Sequence, residues 1–423
     1  MNRREFLALA GAGAAGLLAR RALGAAAAAD ATGARRNLLI LQCDELNFRT
    51  LGCYRALMPA GQAQVWGPGA VLDTPNIDRI AAAGAICTKF YATTPVCSPS
   101  RSAFISGRYP QNTPVTTNDI PMAGDVVTFA EVLRKAGWAT GYAGKWHLDG
   151  DGKPQWAPQR QFGFADNRYM YNRGHYKQME DTPAGPRVKA RNAAGQTTYD
   201  VAGADAKSFT TDFLYAKAID FLRAHKDEPF CYMVSVPDPH DPNTVRPPYD
   251  TMFDSVKFQA PRTMSKPAEA VAAWAPKEAA TLAGPYMQKY FGMIRCIDDN
   301  VGKILAELDS LGLTERTIVV FTADHGDLCG EHGRFNKSVP YEGSAKIPFL
   351  VRAPGLIKPG TVVSEALSCV DFTPTILDLL GQAAPAKTEG RDAAGLLEGK
   401  APANWKDVAF FRSTSANRNT PGA

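Results

Sequence analysis

Residues 95–101 read PVCSPSR, with Cys97 expected in a loop just before a short helical run and Arg101 four positions on. Free N–H groups at a helix start favour an anion, so the local field suits a reacting anion better than a core thiol. Asp44 and Glu45 follow the apolar run NLLILQC directly, and Asp324 and His325 follow TIVVFTA. Taken singly, either pair reads as a helix cap or a solvated turn. Together, two acid-bearing strand ends in one chain fit a shared hard or borderline cation. Lys145 and His147 follow another apolar run in GKWHL, His240 lies among prolines in PDPHDPN, and Lys337 lies in GRFNKSVPYEG. Four of the six histidines (147, 240, 325 and 332) fall in Gly- or Pro-bounded turns past predicted strands, which is not where core packing would put them. This inventory suits transfer of a small, strongly anionic tetrahedral group such as sulfate or phosphate. A cation and lysines would hold the oxygens, and histidines would move protons.

Positioning these residues requires strands that end at one edge. Apolar runs at 37–43, 138–143, 229–236, 317–324 and 347–354 alternate with helical patterns at 74–84, 128–136, 212–225, 286–312 and 372–381. Thr74 is the expected N-cap of the 74–84 helix, with Pro75 at its first position. The alternation predicts a mostly parallel α/β sheet with helices on both faces, whose chemistry gathers beyond the strands' carboxyl ends. Residues 150–208 lack strong periodicity and are expected to form long surface loops. Within them, NRYMYNRGHYK (167–177) offers Arg168, Arg173, His175 and Lys177 beside tyrosines, which fits a sulfated sugar as well as a solvated loop.

The chain has 423 residues, 45% hydrophobic and 21% charged, which is ordinary globular composition. Its start carries Arg3 and Arg4, a soft Ala/Gly/Leu stretch and small residues near 23–29. This is expected to be a twin-arginine export signal over residues 1–29, too short and too weakly apolar for a span of about 20 residues. The formal charge is +5, and four arginines against Glu5 put +3 of it in residues 1–29. The remaining +2 gives no argument for nucleic acid or a membrane surface. The eight cysteines show no CxxC spacing, Cys43 and Cys231 read as core, and disulfides are not required.

The chain resembles the type I sulfatases of the alkaline phosphatase superfamily. CSPSR matches that family's Cys-x-Pro-Ser-Arg signature, and DELNFRTLGCY, TPNIDRIAAAG, GYAGKWHL, PHDP, TADHGDLCGEHG, KIPFLVRAPG and VDFTPTILDLLG follow in the family's order. The resemblance implies an alkaline-phosphatase-like fold over residues 36–385. It implies that Cys97 becomes Cα-formylglycine, made by a formylglycine-generating enzyme, whose hydrate attacks sulfur and then collapses to release sulfate. Arg101 would hold the hydrate, Lys145 and Lys337 would bind sulfate oxygens, His147 would take a proton during collapse, and His240 would protonate the leaving oxygen. Asp44, Glu45, Asp324, His325 and residue 97 would hold a divalent ion, usually calcium in this family. Glu45 and His325 depart from the common Asp and Asn, which leaves manganese or magnesium open, because imidazole suits a borderline metal better.

The export signal and the resemblance together imply a periplasmic or secreted sulfatase acting on a sulfate ester of a carbohydrate or related alcohol. A formylglycine-dependent phosphonate or phosphodiester hydrolase and an inactive remnant are the alternatives. Residues 386–423 are expected to begin a truncated C-terminal subdomain, with VAFF (408–411) as one strand at most.

Overall fold

The computed structural model describes residues 35–265, 282, 284–400, 402 and 404–412. The expected export signal lies outside the described residues. In chain order the elements are β1 (Asn37–Asp44), α1 (Pro75–Ala82), β2 (Ala85–Cys87), β3 (Phe90–Tyr91), α2 (Cys97–Ser106), α3 (Phe129–Lys135), β4 (Ala139–Lys145), β5 (Asp166–Tyr171), β6 (Met179–Thr182) and β7 (Gly185–Val188). They continue with α4 (Thr210–Ala224), β8 (Phe230–Pro239), α5 (Tyr286–Ser310), β9 (Thr317–Ala323), β10 (Phe349–Arg352), β11 (Thr361–Val363), β12 (Leu367–Ser368) and α6 (Cys369–Leu379).

Eight strands form one sheet in the order β11-β2-β10-β9-β1-β8-β4-β5. All neighbours pair parallel except β10, which runs antiparallel to both β2 and β9. Every residue of β1, β8 and β9 is buried, so these strands are covered on both faces. Helix α5 packs against both α1 and α4, and α2 packs with α3 and α6. The α2–α6 contact centres on Phe104 stacked on Phe372, with ring centroids 3.8 Å apart.

Parallel pairing fixes where the chemistry gathers. Cys43 pairs with Ala323 and Val236, and Gly144 with Ser235, so β1, β4, β8 and β9 all end at one edge. Helix α2 is buried along its whole length. Its hydroxyls are satisfied internally where Ser102 Oγ donates to the Pro99 carbonyl and Ser106 Oγ to the Ser102 carbonyl. It stops at Gly107, in the left-handed region at φ 67°, whose N–H closes on the Ala103 carbonyl.

Two expectations are corrected, and two are made more specific. The 150–208 segment is not all surface loop: β5 joins the main sheet and β6 and β7 form a hairpin, while Met170, Tyr171, Tyr176 and Lys177 are buried. Its strands are short, and charged residues alternate with the apolar ones, which blurs the pattern. Thr74 does not cap α1; its hydroxyl accepts from the Gly52 N–H, and Asp298 of α5 receives the Asn76 and Ile77 N–H groups instead. A cap supplied 222 residues away leaves no local trace. The strand expected in the 347–354 run forms as β10, and it is the one in the eight-stranded sheet that runs antiparallel to its neighbours among the described residues. Residues 408–411 form no strand; Val408 and Phe410 are exposed, and the Arg412 N–H donates to the Thr93 carbonyl. Before them, Ala393, Ala394, Leu396 and Leu397 join the main core.

Gly144 sets the crossing of β4 against β8. It sits at φ 108°, and a Cβ there would overlap the Ser235 carbonyl oxygen of the neighbouring strand. Backbone cannot yield inside a sheet as a flexible side chain would. Gly144→Ala is therefore expected to cost about 3 kcal/mol or more of stability, measured by urea unfolding with the wild-type chain as reference.

Candidate functional site

The carboxyl edge brings together nine of the ten residues expected to carry chemistry through a connected set of contacts. The tenth, His147, sits one step away. Asp44 ends β1, Lys145 ends β4, His240 follows β8, and Asp324 and His325 follow β9. Cys97 is the first residue of α2 itself rather than of the loop before it.

Arg101 holds the arrangement from beneath, fully buried. Its Nε donates to Asp324 Oδ2 at 2.9 Å and its Nη2 to Asp44 Oδ2 at 3.4 Å. Its Nη1 donates to Ser235 Oγ at 2.7 Å, the Lys145 carbonyl at 2.8 Å and Gln42 Oε1 at 3.2 Å. One guanidinium on α2 thus ties the ends of four strands.

Above it, single donor atoms of Asp44, Cys97, Asp324 and His325 all lie within 4.8 Å of one another, and all four residues are buried. Cys97 Sγ is 3.2 Å from His325 Nε2 and 3.9 Å from Asp44 Oδ1. Burial pushes the Asp44 carboxyl up, but Lys145, His175, His240 and Arg101 outweigh it and hold it well below the usual range. Burial and Asp44 push Asp324 up, beyond what His325 and Arg101 offset. Burial and Asp44 also push the Cys97 thiol up, yet Lys145, Lys337 and His325 bring it well below the ordinary thiol range. Two carboxylates and an imidazole from two strand ends, crowded enough to raise Asp324, fit a divalent cation.

Glu45 stands apart from these four donors. It occupies the left-handed region at φ 66°, its carbonyl accepts from Tyr290 Oη, and its N–H donates to Asp324 Oδ1. Its Oε2 meets His240 Nε2 at 3.0 Å and Lys337 Nζ at 2.9 Å. Its Oε1 is buried without a hydrogen-bond partner among the described residues. The structure therefore puts Glu45 first with His240 and Lys337, and only an unpaired oxygen remains for an ion.

The opposite wall is cationic. Lys145 Nζ pairs with Asp44 and lies 2.8 Å from His175 Nε2. Lys337 is delivered by a loop folded around Asp327, which accepts the Cys329 and Asn336 N–H groups at 2.8 Å each. Burial pushes Asp327 up to about 6. Burial and Lys337 oppose charge on His240, but Glu45 and Asp241 outweigh them and raise it well above the usual histidine range. Four cationic groups (Arg101, Lys145, Lys337 and His240) thus face four carboxylates (Asp44, Glu45, Asp324 and Asp241), with the two lysines on the side away from Asp241.

Four residues here were not assigned to the reaction from sequence. His175 stacks on His240 with centroids 3.6 Å apart, and burial, Lys145 and His240 keep it neutral, well below the usual range. Asp241 meets His240 Nδ1 at 2.8 Å. Asp119 meets His147 Nε2 at 3.1 Å and Arg173 Nη1 at 2.5 Å. The Arg-Gly-His run after β5 was a usable signal; Asp119, in TTNDI, gave none. His332 lies elsewhere, stacked on Tyr341. All eight cysteines are free thiols, Cys43 and Cys231 among the buried ones.

Lys177 anchors the His240 turn to the His175 segment. Fully buried, it donates to Asp238 Oδ1 at 2.6 Å, and Thr211 Oγ1 donates to Asp238 Oδ2 at 2.6 Å.

Comparison with known proteins converges on one family. A family model described as Sulfatase matches residues 36–382. The chain is 26% identical to an N-acetylglucosamine-6-O-sulfatase of Bacteroides thetaiotaomicron, covering 89% of this chain and 74% of that protein. It is 29% identical to an ulvan-active sulfatase of Formosa agariphila, covering 78% and 61% respectively. A protein solved in complex with its substrate D-glucosamine-2-N,6-O-disulfate shares the fold, with a TM-score of 0.69 at 24% identity over 88% of this chain and 82% of that one. The phosphonate monoester hydrolase of Agrobacterium radiobacter shares it equally, with a TM-score of 0.69 at 24% identity over 89% and 79%.

Removing the Lys177 ammonium would leave Asp238 buried and uncompensated. Lys177→Met is expected to cost about 3–5 kcal/mol, and Lys177→Met with Asp238→Asn to recover part of it, both read from urea unfolding midpoints.

Proposed function

The chain belongs to the sulfatase family, and on that premise we propose that it is an exported enzyme hydrolysing sulfate monoesters of a carbohydrate or related alcohol. The observation that carries this reading is the convergence of Cys97, the Asp44–Asp324–His325 donors and the Lys145, Lys337 and His240 cations at one sheet edge. When present, a divalent cation at Asp44, Asp324 and His325 supplies Lewis-acid charge, and Cys97 matured to formylglycine supplies a hydrated aldehyde as nucleophile. Calcium is the first candidate ion. His325 keeps manganese and magnesium open.

The chain's own residues do the rest. Lys145 and Lys337 neutralise the sulfuryl oxygens as charge builds on them. Arg101 holds both carboxylates of the cation site in place. His240, held as an imidazolium between Glu45 and Asp241, donates its proton to the departing alcohol oxygen. His147 accepts a proton on the residue 97 side. Maturation on an unfolded chain precedes twin-arginine export of the folded protein, which ends in the periplasm or outside the cell. No described helix is long and apolar enough to cross a membrane.

Phosphonate or phosphodiester hydrolysis is the second reading, favoured by the equal likeness in fold to a phosphonate monoester hydrolase. Matched sulfate and phosphonate esters separate the two by kcat/KM. An inactive remnant would turn over neither.

Three outcomes test the proposal. Mass spectrometry of the peptide spanning Cys97 is expected to show an aldehyde after co-expression with a formylglycine-generating enzyme; a thiol throughout an active preparation would overturn it. Asp324→Ala is expected to lose bound divalent metal by elemental analysis. His240→Ala is expected to lower kcat/KM about 10²- to 10⁴-fold on sugar sulfates and far less on nitrophenyl sulfate. A loss independent of the leaving group would make His240 a sulfate binder instead.

A further inference from the structure

His147 has an unusual placement for a proton carrier. It sits in the left-handed region at φ 62°, and its N–H donates to the Asn172 carbonyl at 2.5 Å. Its Nε2 faces Asp119 Oδ1 at 3.1 Å, while its Nδ1 is buried with no hydrogen-bond partner among the described residues. Asp119 also departs from ordinary backbone, at φ 69°, and its carboxylate accepts from Arg173 Nη1 at 2.5 Å. The preceding residue, Asn118, accepts the Ser98 N–H through its Oδ1 at 3.0 Å. That bond ties the Asp119 turn to the first turn of the helix carrying Cys97.

The geometry points to Asp119 as a positioning residue that fixes the tautomer of His147, with Arg173 as its clamp. An ionised carboxylate can only accept, so Nε2 must carry the hydrogen. Burial opposes ionisation of Asp119, but the His147 hydrogen bond and Arg173 outweigh it and keep the carboxyl below its usual range. Nδ1 is then the lone-pair nitrogen, and it is the one turned into the protein without a partner. The two positive φ values are the strain that this orientation tolerates. The clamp is itself built by the sheet: the Trp146 N–H donates to the Tyr171 carbonyl, so β4 and β5 carry His147 and Arg173 to the same corner. The use made of Nδ1 rests on the proposed reaction, in which it accepts a proton; the tautomer does not depend on that reading.

The test separates the two. Long-range 1H–15N correlation spectra of the full chain labelled with 15N-histidine report which ring nitrogen bears hydrogen, with His147 assigned by its loss in His147→Gln. The wild-type chain is expected to show Nε2–H and a bare Nδ1. Asp119→Gly suits the positive φ and removes the acceptor; it is expected to lose that signature and lower kcat about 10²-fold, with KM within about twofold. Asp119→Asn keeps a neutral acceptor at Oδ1 and is expected to retain the Nε2–H signature and recover most of kcat. An unchanged tautomer in Asp119→Gly, or a kcat within twofold of wild type, would overturn the proposal. A fixed tautomer in a chain that releases no sulfate would uphold Asp119 as the positioning residue and overturn the sulfatase reading alone.

Discussion

One buried guanidinium holds the site in register. Arg101 donates to groups on or just past β1, β4, β8 and β9, and it reaches them from a helix with no exposed residue. A charge in such a place is tolerable only when paired and fully hydrogen-bonded, and breaking such a pairing typically costs about 3–5 kcal/mol. Strand ends, helix α2 and the cation-site carboxylates are therefore a single unit. Cys97, one helical turn before Arg101, inherits its position from that unit.

Around this anchor the structure stores charge unevenly. Four carboxylates face four cationic groups, and two of the carboxylates, Asp44 and Asp324, are pulled in opposite directions by their surroundings. A cation beside the carboxylates and an anion beside the lysines would each relieve part of that imbalance. Several residues at the edge also occupy left-handed backbone, Glu45, Asp119 and His147 among them. The surrounding bonds, from Tyr290 to the Glu45 carbonyl and from His147 to the Asn172 carbonyl, make those conformations affordable.

The β5 region shows how function enters through segments that look featureless. Arg173, His175 and Lys177 lie within five residues, and each has a different fate. Arg173 clamps Asp119, His175 stacks on His240, and Lys177 is buried against Asp238. A basic, aromatic stretch with broken periodicity reads as solvated, yet its charges are consumed by partners from distant parts of the chain.

The sequence by itself determined the succession of strands and helices along the chain, because hydrophobic period is local: β1, β4, β8, β9, α4 and α5 lie where the apolar patterns put them. It also marked Asp44, Cys97, Arg101, Lys145, His240, Asp324, His325 and Lys337, since reactive residue types just past strands stand out in a parallel sheet. Tertiary structure alone decided which of them touch. Glu45 meets His240 and Lys337 through one oxygen and keeps the other unpaired, and its carbonyl accepts from Tyr290 in a helix some 245 residues away. Asp119 joined His147, and Asp298 capped α1, through contacts no local pattern encodes. Pairing across the sheet and burial of charge are properties of the assembled chain, so they become legible only when distant segments share one low-dielectric interior.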